Sequence, residues 1–385
     1  MTRRTTYITR TAALLPNAPV ANDDVEAVLG QVGDRPSRAR RIVQRNNGIR
    51  RRFYVIDPGT GVATHSNASL TASAVRGLVD EHFALEDISV LACGTSNPDQ
   101  LLPNHAVMVH GELGTPVCEV VATSGVCVSG MTALKYAWMS VASGDAKNAI
   151  ATGSEVASLG LRAHNYDGER QQDVAALEAQ PGLAFEKDFL RWMLSDGAGA
   201  VLLEPQPRKG LNLRVEWIDV FSYAHAMPAC MYMGAEKEAD GTLRGWMRYD
   251  VAGRDRNSVF AIKQDVRLLN ESVIEYTVVK PLRKLLERRE LTPAGVTWLL
   301  PHISSEYFRK PVADGFARAG LALSPDKWFT NLDRVGNTGS ASVYLMLDEL
   351  ARSGRLKEGD RLLCFVPESG RFSSSFMALT VVKHA

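Results

Sequence analysis

Residues 128–143, Val-Ser-Gly-Met-Thr-Ala-Leu-Lys-Tyr-Ala-Trp-Met-Ser-Val-Ala-Ser, constrain the rest of the chain most. Val128, Met131, Leu134, Trp138 and Val141 recur at helical spacing, and the other faces carry Ser129, Gly130, Ala133 and Ala137. Gly144 stands where a residue just past the helix would stop it. A helix that is apolar or small nearly all round belongs inside a protein. Cys127 then falls at the N-terminus of a buried helix, where unpaired N–H groups and the positive end of the dipole favour a thiolate. A catalytic nucleophile is activated in this way. A lone cysteine is equally an ordinary small buried hydrophobe, so Cys127 needs partners elsewhere in the chain.

Composition removes several classes of function. A chain of 385 residues with 45% hydrophobic content can bury a large core or two. The net charge of +1 gives no whole-chain case for nucleic acid or an acidic membrane. The five cysteines (93, 118, 127, 230 and 364) are scattered without a CxxC pair, which predicts reduced thiols in a cytoplasmic protein and no metal site. The opening residues lack the apolar region of a signal peptide. No stretch approaches the roughly 20 apolar residues of a membrane span.

The pattern along the chain is α/β. Strands are predicted at 6–14, 88–93, 117–121, 148–155 and 194–204, with helices at 24–31, 69–83 and 128–143. Pro205–Gly210 is the best internal boundary, giving halves 1–205 and 211–385. Beyond it the order resembles the first half: a strand at 212–221, a long helix at about 265–289, a strand at 296–301, more helix, and strands at 361–366 and 374–383. Such repetition predicts two similar halves. Residues 160–190 are polar and irregular. Residues 222–262 form a long insertion rich in Met, Tyr and Gly, a composition that suits flexible apolar ligands and a cover over a substrate pocket.

Eight arginines lie between residues 35 and 52 without one acid. They are either a solvated or internally paired basic face, or a landing site for phosphates or an acidic partner protein. Phe53 and Tyr54 follow the cluster instead of interleaving it, which argues against nucleic acid.

Three further residues complete a candidate site. His302 ends the strand Trp298-Leu-Leu-Pro-His302, at the strand end where α/β proteins build sites. Asn337 lies in Arg334-Val-Gly-Asn-Thr-Gly-Ser-Ala-Ser342, ahead of an apolar helix. Gly370 sits in a glycine turn, Pro367-Glu-Ser-Gly-Arg-Phe372, between two strands. Singly these are a structural histidine, a turn asparagine and a hairpin glycine. Together they fit a thiolate that takes an acyl group while neutral donors, His302 and Asn337, hold a second carbonyl. Backbone N–H groups of Cys127 and Gly370 would form the oxyanion hole.

On these motifs, with Ser195-Asp-Gly-Ala-Gly-Ala and Cys127-Val-Ser-Gly-Met-Thr-Ala-Leu, the chain resembles the thiolase-fold condensing enzymes, and specifically β-ketoacyl-acyl carrier protein synthase III. The resemblance runs from Asp23 to the C-terminus. It implies a five-layered αβαβα fold of two duplicated halves, a homodimer, and a decarboxylative Claisen condensation with Cys127, His302 and Asn337 as the triad. Acyl groups would arrive as coenzyme A or acyl carrier protein thioesters, with no other cofactor, and Arg41, Arg45 and Arg309 would bind the carrier.

The sequence also departs from the family pattern. The tryptophan expected near Arg41 is absent, and Glu368-Ser-Gly-Arg-Phe372 replaces a run of glycines, placing a carboxylate near the site. The segment before Cys127 and the spacing from Cys127 to His302 are both longer than usual. These departures point to a specialised relative acting on acyl chains longer than acetyl. Such relatives include the branch that makes dialkylresorcinols or cyclohexanediones and enzymes that condense two acyl chains without decarboxylation. A non-catalytic, carrier-binding subunit of the same fold is the remaining alternative.

Overall fold

A computed structural model describes residues 4–32, 40–166 and 190–385. Arg35, Arg38 and residues 167–189 of the stretch expected to be irregular at 160–190 lie outside the described residues.

The main sheet contains strands β1 (Tyr7–Leu14), β4 (Val90–Thr95), β5 (Glu119–Ser124), β6 (Ala149–Glu155), β7 (Gly197–Glu204), β8 (Gly210–Ser222), β13 (Trp298–Pro301), β14 (Arg361–Glu368) and β15 (Ser373–His384). Three small ribbons complete the strands: β2 (Val20–Ala21) with β3 (Arg51–Arg52), β9 (Met231–Tyr232) with β12 (Lys263–Gln264), and β10 (Ala235–Lys237) with β11 (Leu243–Gly245). The helices are α1 (Val25–Leu29), α2 (Arg40–Asn47), α3 (Asn67–Arg76), α4 (His105–Leu113), α5 (Val128–Ser143), α6 (Val251–Arg256), α7 (Val266–Ile274), α8 (Lys280–Leu286), α9 (Arg309–Ala319), α10 (Leu332–Val335) and α11 (Ser342–Arg352).

The sheet order is β13-β14-β15-β8-β1-β7-β6-β4-β5. Its two halves are joined where Tyr7 pairs with Arg214 and Ile8 with Leu213. Read outward from that seam, β1-β7-β6-β4 matches β8-β15-β14-β13. In each set the two outer strands run parallel and the inner pairings are antiparallel. The repetition seen in the sequence is thus a repetition of topology. β5 has no counterpart and forms the edge of the sheet beyond β4.

Helix α5 touches β4, β5 and β6 on one side and β8, β14 and β15 on the other, so it lies between the two halves. Helix α11 touches β1, β7 and β13 and shares this central layer. Val128, Met131, Leu134, Trp138 and Val141 enter one core with Leu213, Met377 and Val381 from the second half. Helices α3 and α4 cover the outer face of the first half, and α9 with the turn around residues 275–279 covers the second. The result is five layers, αβαβα.

The small residues have an identifiable cause. A Cβ on Gly153 would lie 2.3 Å from the Ser340 carbonyl oxygen, and one on Gly199 would lie 2.3 Å from Tyr344 Cβ. At Gly199 the close approach is therefore that of β7 to a tyrosine side chain. Tyr344 spans these glycines and donates to the Gly130 carbonyl at 2.7 Å.

Two predicted helices are shorter or less regular. The helix expected at 69–83 ends at Arg76, capped by Gly77. The helix expected at 265–289 is divided into α7 and α8 by a π-helical turn at Glu275–Val279. Thr277 in that turn gives its carbonyl to Ser374 Oγ of β15 at 2.6 Å, a tertiary bond invisible in local periodicity.

Candidate active site

Cys127 is the N-cap residue of α5 and remains partly exposed. Its position is fixed by close packing around the first helical turn. A Cβ on Gly94 would lie 2.5 Å from the Ser129 carbonyl oxygen, and one on Gly130 would lie 2.3 Å from the Ser340 carbonyl oxygen. Only glycine fits at either place, so the start of α5 is wedged between β4 and the turn that follows Asn337.

Asn337 occupies that turn, after Gly336 with its positive φ of 75°. Its main chain is tied on both sides: its N–H donates to the Met193 carbonyl at 3.0 Å and its carbonyl accepts from Ser195 at 2.8 Å. Its Oδ1 accepts from the Gly339 N–H at 3.0 Å, which fixes the amide orientation and assigns Nδ2 as the side-chain donor.

His302 is the first residue beyond β13, and its N–H extends the parallel ladder by donating to the Phe365 carbonyl of β14 at 2.8 Å. The side chain is buried, and burial lowers its pKa from the ordinary 6.5 to about 4. His302 is therefore neutral at physiological pH, as a carbonyl-binding donor requires. The elements that carry Asn337 and His302 are each connected to the first turn of α5 through a neighbour. One comes through Ser340, and the other through β14, whose last residue bonds to that turn.

That last residue is Glu368. Its Oε2 accepts from the backbone N–H of Val126 and of Val128, each at 3.0 Å, on either side of Cys127. Gly370 follows closely, since a Cβ there would lie 2.9 Å from the Val126 side chain. The two residues expected to supply the oxyanion hole, Cys127 and Gly370, therefore belong to abutting loops.

The expectation of a resting thiolate is corrected by these contacts. Burial, then the carboxylates of Glu368 and Glu155, hold the Cys127 thiol pKa well above its ordinary value. The N–H groups of Val126 and Val128, which would have stabilised a thiolate, are used by a carboxylate instead. Cys127 rests as a thiol.

Glu155, at the end of β6, was not foreseen as a site residue. It is buried, accepts from Ser96 Oγ and from the Ser340 N–H at 3.2 Å, and burial raises its pKa from 4.5 to about 7. The sequence places Glu155 at the end of a buried strand, but its partner Ser340 is 185 positions away.

A cavity of about 830 Å³ is lined by Asn97 and Val156, the residues that follow Ser96 and Glu155, and by none of Cys127, His302, Asn337 and Gly370. Asn97, Asp99 and Val156 line it from segments that follow β4 and β6, and Met233, Val251, Arg254, Val259, Phe260 and Ala261 line it from the insertion. Part of the predicted pocket cover therefore lines a pocket, though not through its methionines in general. Met227 is buried in a core, Met247 is 77% exposed, and Met233 alone of them lines the cavity.

The arginine-rich stretch divides in two. Arg52 is fully buried and donates to the Trp192 carbonyl and to Asn22. Arg40 pairs with Asp23 and Glu26, and Arg50 pairs with Asp333. Arg41 and Arg45 lie exposed on α2. This helix touches the turn Glu306–Phe308, just before Arg309. Arg309 is itself bound to Glu306 at 2.5 and 2.9 Å and lies over Trp328. Among the described residues no cluster of three His, Cys, Asp or Glu could hold a metal ion, and no helix is long and apolar enough to cross a membrane.

Comparison with known proteins agrees with this architecture. Residues 71–208 match the family described as the β-ketoacyl synthase N-terminal domain, and residues 286–372 match the 3-oxoacyl-[acyl-carrier-protein] synthase III C-terminal domain. The β-ketoacyl-[acyl-carrier-protein] synthase III of Xanthomonas campestris pv. campestris (strain 8004) is 27% identical over 359 residues, covering 92% of each chain. Among solved structures, a variant of Xanthomonas campestris OleA superposes with a TM-score of 0.74 at 19% identity, covering 99% of both chains. AbyA1, a tetronic acid condensing enzyme, superposes with a TM-score of 0.72 at 21% identity, covering 98% of this chain and 100% of the other.

Proposed function

This chain belongs to the β-ketoacyl-acyl carrier protein synthase III-like condensing enzymes of the thiolase superfamily, acyltransferases that perform Claisen-type condensations, and we propose a role for each of its site residues. Cys127 attacks an acyl thioester and becomes acylated. Developing charge on the carbonyl oxygen is met by the N–H groups of Cys127 and Gly370. Neutral His302 and the Nδ2 of Asn337 then hold the carbonyl of a malonyl or β-ketoacyl thioester, stabilising the enolate that attacks the acyl group. The observation that carries this reading is a pair of oriented neutral donors: His302, kept neutral by burial, and Asn337, its amide oriented by Gly339.

The acyl chain is longer than acetyl and enters the cavity beneath the insertion, whose volume of about 830 Å³ is within the range of small-molecule sites. It arrives on coenzyme A or an acyl carrier protein, guided by Arg41 and Arg45, and no other cofactor takes part. The working unit is a homodimer. In support, β5 is an edge strand, and Leu101 (65% exposed), Leu102 (86%) and Val117 (95%) are apolar surface near it in sequence. None of the five cysteines is in a disulfide, which fits a cytoplasmic enzyme.

The test is product analysis with octanoyl-coenzyme A and a malonyl carrier-protein thioester. A β-ketoacyl product with release of carbon dioxide is expected. Product without carbon dioxide, from two acyl chains, would replace decarboxylation by direct condensation. No product, with the acyl donor unchanged, would leave a carrier-binding subunit.

A further inference from the structure

Glu368 is the feature of the site that the proposed roles do not use. The carboxylate is tightly placed. Oε2 is held by the N–H groups of Val126 and Val128, and Oε1 accepts from no described residue. The loop that follows is fastened to the insertion and its flanks. Cys230 and Met231 donate to the Gly370 carbonyl at 2.9 and 3.3 Å, Arg371 Nε donates to the Met227 carbonyl at 2.9 Å, and Tyr223 donates to the Phe372 carbonyl at 2.9 Å. So many bonds to one turn fix the carboxylate in position and leave one oxygen for chemistry.

Its neighbour is a thiol whose pKa is held above the ordinary value. The N–H groups of Val126 and Val128 are occupied by Glu368, which leaves the N–H of Cys127 itself to favour a thiolate. The titratable groups around the sulfur are Glu368 from β14 and Glu155 from β6, while Arg371 of the same turn is drawn away to Met227. Glu155 is saturated by Ser96 and Ser340.

We infer that Glu368 is a catalytic base for Cys127, accepting the thiol proton on Oε1 as acyl transfer begins. This inference rests on Cys127 being the acylated residue. As the Sγ–C bond to the substrate carbonyl forms, the S–H proton passes to Glu368 and the carbonyl oxygen takes the negative charge. When the tetrahedral adduct collapses, the C–S bond to the carrier breaks and the departing thiolate takes the proton back from Glu368. Glu368 thus ends each transfer ionised, and no other reactant is needed. Burial raises the carboxyl pKa above its ordinary value, bringing it nearer to that of the thiol it serves.

The test is the rate of Cys127 acylation by octanoyl-coenzyme A, followed by intact mass from pH 5 to 10, in wild type, Glu368→Gln and Glu368→Asp. The amide of Glu368→Gln can still accept both backbone bonds, and thermal melting confirms the fold. Wild type should show an acid limb that follows ionisation of Glu368 and then a plateau. Glu368→Gln should be about 100-fold slower near pH 7, the scale of general-base catalysis. Its acid limb should vanish and its rate should climb towards alkaline pH, while Glu368→Asp recovers part of the rate. Wild-type rate and profile in Glu368→Gln would overturn the inference and leave a structural cap. A faster reaction would overturn it too, by showing that the carboxylate only suppresses the thiolate. If wild type is acylated elsewhere or not at all, the assignment of Cys127 falls first and Glu368 with it.

Discussion

The N–H of Cys230 donates to the carbonyl of Gly370 at 2.9 Å, joining the insertion to the turn beside Cys127. Gly370 touches Val126, and Glu368 in the same turn bonds to Val126 and Val128, so the insertion, the turn and the cysteine helix form one assembly. The insertion and Cys127 are therefore linked through two residues.

One prediction concerns pH and stability. The folded pKa of Glu155 is raised from 4.5 to about 7, so between those values the folded state binds more protons than the unfolded state. Its contribution is therefore fully present below pH 4.5 and is lost as pH rises through about 7. Asp196, raised from 3.8 to about 6, acts in the same direction, whereas His302 and His105, each lowered from 6.5 to about 4, act oppositely. Glu155→Gln should remove only the first contribution. Its melting temperature, relative to wild type, should rise between pH 5 and 8. A constant difference across that range would show that Glu155 does not titrate there.

Carrier docking separates the arginines. Arg41→Glu and Arg45→Glu should raise KM for the carried substrate about tenfold at low salt with little change in kcat, because they alter an exposed approach surface. The effect should shrink at high salt, since exposed charges are screened over roughly 8 Å at physiological ionic strength. Arg309→Ala should instead lower the melting temperature, because that side chain is bound to Glu306 and covers Trp328. Unchanged KM in both α2 variants would leave that face merely solvated.

Chain-length preference follows from the cavity. Each buried methylene contributes about 0.8 kcal/mol, so four more than acetyl favour acylation roughly a hundredfold. The acylation rate should rise with chain length and then drop where the cavity ends. Ala261→Phe, which adds a ring to the lining, should move that drop to shorter chains. A rate highest with acetyl in wild type would remove the acyl chain from this cavity.

The parts legible in the sequence are those written in local patterns. The periodicity of 128–143 is enough to place a central helix. The strand end at His302 and the glycine-flanked Asn337 keep their expected places. The state of the thiol was not legible, because it depends on a carboxylate 242 positions from Val126 that takes the N–H groups a thiolate would use. The break between α7 and α8 was hidden for a similar reason. Val278 lies in the turn there, and a Cβ on Gly315 of the neighbouring α9 would come within 3.0 Å of it. Arginine pairing could not be assigned either: nothing local distinguishes buried Arg52 from exposed Arg45.

The most direct test of the account is intact-mass measurement after incubation with an acyl thioester, comparing wild type with Cys127→Ala, His302→Ala and Asn337→Ala. The assignment of one group to covalent chemistry and two to the second carbonyl predicts one added acyl group on wild type and on the His302 and Asn337 variants. These two variants should then fail to condense, with losses of at least about 100-fold, and Cys127→Ala should gain no mass. Acylation retained in Cys127→Ala, or lost in the other two with the fold intact, would contradict the division of labour.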